Sequence, residues 1–367
     1  MKLWNKIGGG EDSFLDGENA ELDTKLLPYD IYGTAAHAGA LEKIGVLSVQ
    51  EKTQVTAALK GLLDEWRKGG IEVSAAQEDS HTLIEETLCE KTGAAGEKIH
   101  AGRSRNDQAL CAVALYCKHS LMAARQTALE LAGVLAQMAA EHEFDAMPGY
   151  THSRKAMPSS AGMWLSAYAR LLKQDSEFIG AARQAIDSCP LGSAAGYGSL
   201  APLDNAATAQ TLGFSKPVEN ALAAQMQRGK AETVTVFAMS AVMGTISRLA
   251  ADLILFSMPQ TGFVSLGGAH STGSSIMPQK RNPDGLELVR AKAAAVNADL
   301  AAVQNICCGL PAGYHRDHQE TKRPLVHAVE TTLASLDAME EIISGISLDT
   351  EKMLEACTPE IFAADYA

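Results

Sequence analysis

The sequence has few aromatic residues and no long uninterrupted apolar run. Aromatic residues make up 5% of the 367 residues, whereas alanine and leucine are abundant, and this composition favours helices over sheets. Because no apolar run approaches the roughly 18 residues of a membrane span, we expect no membrane partner. Residues 1–10 include a lysine but no apolar core, so we expect no secretory signal.

Positive charge is scarce as well. The chain has 31 Lys and Arg against 44 Asp and Glu, which gives a formal net charge of −13. Because nucleic-acid binding needs clustered cations, we expect no nucleic-acid partner, although a local basic pocket could still bind a small anion. The seven cysteines include no C-x-x-C pair, so we expect reduced thiols and a cytoplasmic protein.

The positions of the prolines predict several long helices. Five intervals, in which apolar residues recur at roughly helical spacing, are expected to be helical: 109–143, 160–186, 218–256, 286–307 and 325–346. Gly229 and Gly244 are expected to bend or interrupt the third interval. Helices of this length, about 33–50 Å, are typical of an elongated bundle. Shorter helical segments are predicted nearer the start, at 51–68 and 80–91.

These patterns predict an all-α protein with three successive parts. Residues 1–104 are expected to form a small N-terminal helical domain and residues 105–356 a central long-helix bundle, while 357–367 form a short C-terminal tail. Two Gly-rich segments, 189–204 and 260–284, are expected to be loops. A long polar loop between helices is uncommon unless it is functional or disordered, so 260–284 is the first place to look for catalysis.

The end of this loop combines hydroxyls, cations and an amide within a short string. Residues 273–284 read GSSIMPQKRNPD, a set that could close over a carboxylate. On composition alone, a solvated turn followed by a helix N-cap is the better interpretation. However, the string resembles G-S-S-x-M-P-x-K-x-N, the signature of the fumarase/aspartase superfamily, whose members cleave C–N or C–O bonds by elimination.

Further motifs narrow this resemblance to the argininosuccinate lyase and delta-crystallin family. The most discriminating motif is HAGRSRNDQ at 100–108. Other matches are the blocks at 29–31, 78–82, 149–152 and 309–322. The resemblance implies release of fumarate from an argininosuccinate-like dicarboxylate without a cofactor or metal. It also implies a homotetramer in which each active site draws loops from three subunits.

The resemblance assigns catalytic roles to four residues. Ser274 is expected to abstract a proton from the succinyl carbon, which requires the loop to stabilise its alkoxide. Lys280 is expected to stabilise the dianionic intermediate, and Asn282 to bind a carboxylate. His152 is expected to pair with Glu287, which would raise the pKa of the imidazole. Whether His152 donates the proton or organises the site stays open.

The resemblance also implies a substrate-binding set. The carboxylate and amide contacts are expected from Ser104, Arg105, Asn106 and Thr151. The contacts with the arginine-like half are expected from Asn19, Asp23, Tyr314, Gln319 and Lys322. Arg228 also belongs to the substrate-binding set, without assignment to either half of the substrate. The run 103–107 also fits a helix N-terminus with charge pairing, and the two interpretations are compatible. His81 is expected to support the site from behind, and a metal at His315 and His318 is not expected.

The sequence departs from the family pattern at three places. Residues 151–158 lack the family's glutamines and carry Arg154 and Lys155 instead. Residues 220–229 keep Arg228 but lack three aspartates of the pattern N-S-x-D-A-x-x-D-R-D. The chain stops at Ala367, about where the bundle is expected to end, so we expect the family's further C-terminal domain to be missing.

Three functions follow from this comparison of motifs. The first is cleavage of argininosuccinate to arginine and fumarate, which the intact 102–108 motif favours. The second is a lyase reaction on another N-substituted aspartate, which the missing aspartates favour. The third is a non-catalytic, crystallin-like structural role. The joint retention of the four catalytic residues argues against the third function, because a structural protein would not need them together.

Overall fold

The computed structural model describes residues 19–366 except for 75, 76, 78, 269, 270, 274, 275, 278 and 279. The described residues form a helical protein with four two-stranded sheets. The helices are α1 Asn19–Lys43, α2 Val49–Arg67, α3 Ser80–Thr92, α4 Ala94–Glu97, α5 Arg105–Glu141, α6 Ala161–Ala185, α7 Asn205–Thr211, α8 Ala221–Met226, α9 Lys230–Ser257, α10 Asp284–Cys307, α11 Lys322–Gly345 and α12 Thr350–Glu355.

The five predicted long helices correspond to α5, α6, α8 with α9, α10 and α11. The third predicted interval is interrupted at Gly229, whose φ of 81° is rarely adopted by other residues. Gly244 lies inside α9 and does not interrupt it. The start of α2 is fixed by a capping box, in which Ser48 and Glu51 each accept a backbone N–H of the other.

Helix α1 differs from the expectation of short helices near the start of the chain. It is 25 residues long and contains Pro28 in its interior. A proline removes the hydrogen bond to the carbonyl four residues earlier, which here belongs to Thr24. The indole N–H of Trp66 donates to that carbonyl at 2.8 Å. A tertiary contact therefore supplies the hydrogen bond that the proline removes.

The contacts divide the chain into two compact units that interleave along the sequence. Unit 1 comprises the described residues within Met1–His119, Ile186–Thr233 and Val303–Val326, and unit 2 those within Ser120–Ala185, Val234–Ala302 and His327–Ala367. The predicted domains 1–104, 105–356 and 357–367 follow one another instead, and that division stays a prediction. In unit 1, α1, α2 and α3 enclose an apolar core that includes Leu27, Leu59 and Leu88.

The strands are short, as the sequence predicts, and most contain two residues. Unit 1 has the parallel pair β3 Ser188–Cys189 and β4 Lys216–Pro217. Unit 2 has the antiparallel pairs β1 Ala146–Thr151 with β2 Arg154–Ser160, β5 Val264–Ser265 with β8 Ser347–Leu348, and β6 Thr272–Gly273 with β7 Arg281–Asn282. The longest pair, β1 and β2, was not predicted.

One segment of the described chain, Ala221–Ser257, is long and apolar enough to cross a membrane by length and composition. Half of its most apolar window is buried inside the protein. Its buried residues include Val236, Met239 and Leu253, each without solvent exposure. Core helices of globular proteins pass the same test, so the finding is weak evidence of membrane insertion.

Candidate active site

A cavity in unit 1 brings together most of the predicted substrate-binding residues. It encloses about 200 Å³. Eight predicted residues line it: Asn19, Asp23, Arg105, Asn106, Arg228, Tyr314, Gln319 and Lys322. His81, predicted as a supporting residue, lines it as well. Ser104 is adjacent in sequence but is not among the lining residues, and the roles of all these residues stay predictions.

The first turn of α5 is fixed by the fully buried carboxylate of Asp107. Its Oδ1 accepts the backbone N–H of Ser104 at 2.9 Å. Its Oδ2 accepts the N–H groups of Gly192 at 3.0 Å and Ala194 at 2.9 Å. The segment after β3 is therefore bound to the start of α5, which carries Arg105 and Asn106 into the cavity.

Arg105 is held by the residue that caps α3. Its guanidinium donates to Asp79 Oδ2 at 2.7 Å and to the Thr82 hydroxyl at 3.0 Å. Asp79 also accepts the backbone N–H of Thr82, which makes it the N-cap of the helix. Burial raises the pKa of Asp79, but the charges of His81 and Arg105 and the hydrogen bonds from Thr82 together outweigh this effect, so the pKa lies below its ordinary value.

A second ion pair lies on the same cavity. Lys322 Nζ, at the start of α11, contacts Asp23 Oδ1 of α1 at 2.5 Å. The side chain of Asp23 is 4% exposed and that of Lys322 is 16% exposed, so solvent screens this pair only weakly. The pair joins the start of the chain to residues almost three hundred positions later, which no local pattern could predict.

Arg228 contacts two other predicted residues of the cavity, Asn106 and Tyr314. Its Nη2 donates to the backbone carbonyl of Asn106 at 2.6 Å, and its guanidinium lies 4.7 Å from the ring centroid of Tyr314. Burial lowers the pKa of Arg228, although the group stays charged because an arginine pKa starts so high. The contacts agree with a shared role for these three predicted residues in one site.

Behind the cavity, the buried carboxylate of Asp30 contacts two polar side chains. Its Oδ2 lies 2.5 Å from His81 Nδ1 and accepts the Ser80 hydroxyl at 3.0 Å. Burial lowers the pKa of His81, but the charge and hydrogen bond of Asp30, together with the charges of Asp79 and Asp23, outweigh this effect, and the pKa is raised. His81 is 4% exposed, which agrees with the predicted supporting position.

The cavity also contains residues that sequence reasoning did not assign to the site. Glu232, in the first turn of α9, is buried at 4% exposure, and burial raises its pKa. An acidic residue one helical turn after Arg228, at the start of an apolar helix, is the signal that could have identified it. Asp79 was noted only within the 78–82 block, although its position before Ser80 is that of an N-cap.

His318, one of the two histidines with metal-like spacing, lines the cavity. Its Nδ1 lies 3.8 Å from the thiol of Cys307. Burial and the nearby Arg228 lower the pKa of His318 to about 4, so the imidazole is neutral near pH 7. Within the part of the chain that the structure describes, no group of three His, Cys, Asp or Glu side chains is placed to hold a metal ion.

The predicted catalytic histidine lies at an exposed hairpin tip in unit 2. His152 and Ser153 form the two-residue turn between β1 and β2, with φ values of 52° and 57°. Two successive residues with positive φ are typical of the tight turns that match the twist of a hairpin. Thr151 ends β1 directly before the turn and is exposed. The turn therefore presents both predicted residues to solvent in this unit.

The signature loop is described only at its base, where β6 pairs with β7. Thr272 lies opposite Asn282, and the carboxylate of Asp284 accepts the backbone N–H of Thr272 at 3.0 Å. Lys280 is exposed beside β7. The predicted base, Ser274, lies outside the described residues.

Glu287, predicted to pair with His152, is exposed in the first turn of α10. Within the described residues, neither side chain makes a hydrogen bond or ion pair with the other, so the predicted pairing stays a prediction.

Comparison with known proteins agrees with these features. A family profile described as "Lyase" matches residues 14–298. The argininosuccinate lyase of Sorangium cellulosum (strain So ce56) is 41% identical over 371 residues, which cover 100% of this chain and 86% of that protein. The argininosuccinate lyase of Xylella fastidiosa (strain 9a5c) is 38% identical over 369 residues, which cover 100% of this chain and 83% of that protein.

Solved structures share the fold. EDDS lyase in complex with formate has a TM-score of 0.80 at 24% identity, covering 95% of this chain and 68% of its own. Class II fumarase from Schistosoma mansoni has a TM-score of 0.79 at 19% identity, covering 95% and 82%. The all-helical superfamily fold expected from the sequence is thus confirmed. By its profile match and its relatives along the whole chain, this protein belongs to the argininosuccinate lyase family.

Proposed function

We propose that the protein cleaves the carbon–nitrogen bond of argininosuccinate by β-elimination, giving arginine and fumarate. The observation that carries this proposal is the charged cavity of unit 1, in a chain whose relatives are argininosuccinate lyases. Its lining includes Arg105, Arg228 and Lys322 together with Asp23 and Asp79. A site with both signs of charge suits a substrate that carries carboxylates, an ammonium group and a guanidinium group.

The reaction needs one base, one acid and an anion-stabilising group. The base removes a proton from the succinyl carbon next to the carbon that bears the nitrogen. The resulting carbanion is delocalised into its carboxylate, the carbon–carbon double bond forms, and the carbon–nitrogen bond breaks. The departing guanidino nitrogen takes a proton from the acid. We assign the base to Ser274 and the stabilisation of the dianion to Lys280, with Asn282 as a carboxylate ligand.

We assign His152 to the site because of its place in the hairpin. His152 and Ser153 form the exposed turn of the hairpin, and Thr151 beside it is the predicted carboxylate contact. A charge partner such as Glu287 would favour the protonated imidazole, which can either donate the proton or organise the substrate.

We further propose that the active form is a cytoplasmic homotetramer whose sites combine residues of several subunits. The predicted residues fall into two sets, one in each unit, which agrees with a site assembled from separate segments. The cysteines are free thiols, as in proteins of reducing compartments.

Mixing two inactive variants tests the assembly. Arg105 lies in unit 1 and His152 in unit 2. The variants Arg105→Ala and His152→Ala are each expected to be inactive alone. If subunits share sites, mixed oligomers of the two variants regain activity. Absence of any recovery in mixed oligomers of confirmed composition would contradict shared sites.

The function is tested by following fumarate absorbance as purified protein meets argininosuccinate. The proposal predicts prompt fumarate release that is lost in Ser274→Ala while the variant stays folded. A panel of other N-substituted aspartates tests the second reaction. Faster turnover of one of these than of argininosuccinate would contradict the proposed substrate and would point to the altered segment 220–229.

A further inference from the structure

We propose that Glu232 binds a cationic nitrogen of the arginine-like part of the ligand in the unit 1 cavity. It would thereby supply a negative charge that the segment 220–229 lacks. This inference rests on the proposed function and deepens it, because it names a further specificity-determining residue. No motif of the sequence pointed to Glu232.

The carboxylate of Glu232 is fixed in place on the cavity wall. Its Oε2 accepts the backbone N–H of Gly229 at 2.9 Å. Its Oε1 lies 3.3 Å from the Thr321 hydroxyl, whose proton is shared with the backbone carbonyl of His318 at 2.9 Å. Each oxygen keeps a further lone pair, since a carboxylate offers about four acceptor positions. The side chain lines the cavity although the residue is only 4% exposed. A ligand would therefore meet a positioned carboxylate with little competition from water.

Glu232 differs from the other carboxylates of the cavity in its ion pairing. Asp23 contacts Lys322 at 2.5 Å and Asp79 contacts Arg105 at 2.7 Å. Among the residues that the structure describes, Glu232 has no cation within ion-pair distance. Arg228 acts on Glu232 only from beyond ion-pair distance, and a buried carboxylate without a directly contacting cation is costly. A cationic nitrogen of the ligand would supply that charge.

Arg228 offers the opposite charge on the same wall. It is partly buried, and its Nε has no hydrogen-bond partner among the described residues. The pair of Glu232 and Arg228 thus presents carboxylate oxygens with acceptor capacity and an Nε–H donor without a partner among the described residues. A ligand with both a cationic nitrogen and a carboxylate satisfies the two groups together, as an amino acid does.

The packing around Gly229 disfavours an acidic side chain at 229 and agrees with a carboxylate supplied from position 232. The family pattern has an aspartate at position 229, directly after the arginine. Here a Cβ at residue 229 would lie 2.1 Å from the Sγ of Cys307, and the φ of 81° disfavours any side chain. An aspartate at 229 would therefore be strained and would require Cys307 to move. Glu232, one turn further on, returns its carboxylate to the Gly229 backbone.

The test measures binding of L-arginine and of fumarate to the full-length protein by calorimetry. Glu232→Gln removes the charge but keeps an oxygen that can accept the Gly229 N–H. We expect it to weaken L-arginine binding by about tenfold to a hundredfold, the range for a hydrogen bond to a charged group. Fumarate has no cation, so its affinity should stay within about twofold of wild type. Glu219→Gln removes a charge from an exposed side chain and serves as the matched control.

Two results would overturn the proposal. One is an L-arginine affinity of Glu232→Gln within twofold of wild type. The other is equal affinity of Glu232→Gln and Glu232→Asp, because Asp keeps the charge and should bind L-arginine more tightly. A wild-type protein that binds L-arginine but does not cleave argininosuccinate would contradict the proposed function while leaving the role of Glu232 standing. Melting temperatures identify any variant that fails to fold.

Discussion

Removal of the Asp107 carboxylate should destabilise the protein strongly. In Asp107→Ala, three backbone N–H groups, of Ser104, Gly192 and Ala194, lose their acceptor at once. Each lost hydrogen bond of this kind costs about 1–1.5 kcal/mol, so the sum for the three is about 3–4.5 kcal/mol. The loss should also weaken substrate binding, because the same contacts hold the turn that carries Arg105.

Urea unfolding followed by circular dichroism measures this loss, and two further variants calibrate it. Asp107→Asn keeps one acceptor oxygen and should lose about 1–3 kcal/mol. Asp64→Ala removes an exposed carboxylate that lies 3.4 Å from Arg67, and it should change stability by less than about 0.5 kcal/mol. A loss below about 1 kcal/mol in Asp107→Ala would refute the assignment of Asp107 as the anchor of this turn.

Three other perturbations follow from the packing. Ser48→Ala removes one half of a capping box and should cost about 1 kcal/mol, seen as a lower Tm. Gly229→Ala places a Cβ 2.1 Å from the Sγ of Cys307 and should cost about 1–3 kcal/mol, part of which Cys307→Ala should restore; a stable Gly229→Ala would contradict the packing described. The pKa of Asp79 is lowered in the folded protein, so its stabilising effect is present above about pH 3.9 and is lost as the pH falls through the folded pKa. The stability difference between wild type and Asp79→Asn should therefore shrink in acid, and a constant difference across that range would contradict the stabilisation of the Asp79 carboxylate by His81, Arg105 and Thr82.

Most of the helical fold could be predicted because proline and apolar spacing act locally. The intervals without prolines gave α5, α6, α10 and α11 to within a few residues. Glycine was a less reliable guide, since Gly229 lies between α8 and α9 at positive φ while Gly244 lies inside α9. Helix α1 was missed because Pro28 argues against it locally, and the indole of Trp66 replaces the lost hydrogen bond from elsewhere in the chain.

Site residues that belong to sequence motifs could be predicted, whereas those placed by tertiary packing could not. Arg105, Asn106 and Tyr314 belong to blocks that resemble the family, and they line one cavity. Glu232 belongs to no such block, and its burial and contact with Thr321 depend on how α9 packs. The hairpin tip was also missed, because non-glycine residues such as His152 rarely adopt positive φ and give no local signal for it.

The most direct test of the central claim is a proton NMR time course of argininosuccinate with the wild-type protein and with Ser274→Ala. Elimination predicts that fumarate vinyl protons and free arginine signals grow in equal molar amounts with wild type, and that neither grows with folded Ser274→Ala. No fumarate from the wild type, unequal yields of the two products, or undiminished turnover by Ser274→Ala would contradict it.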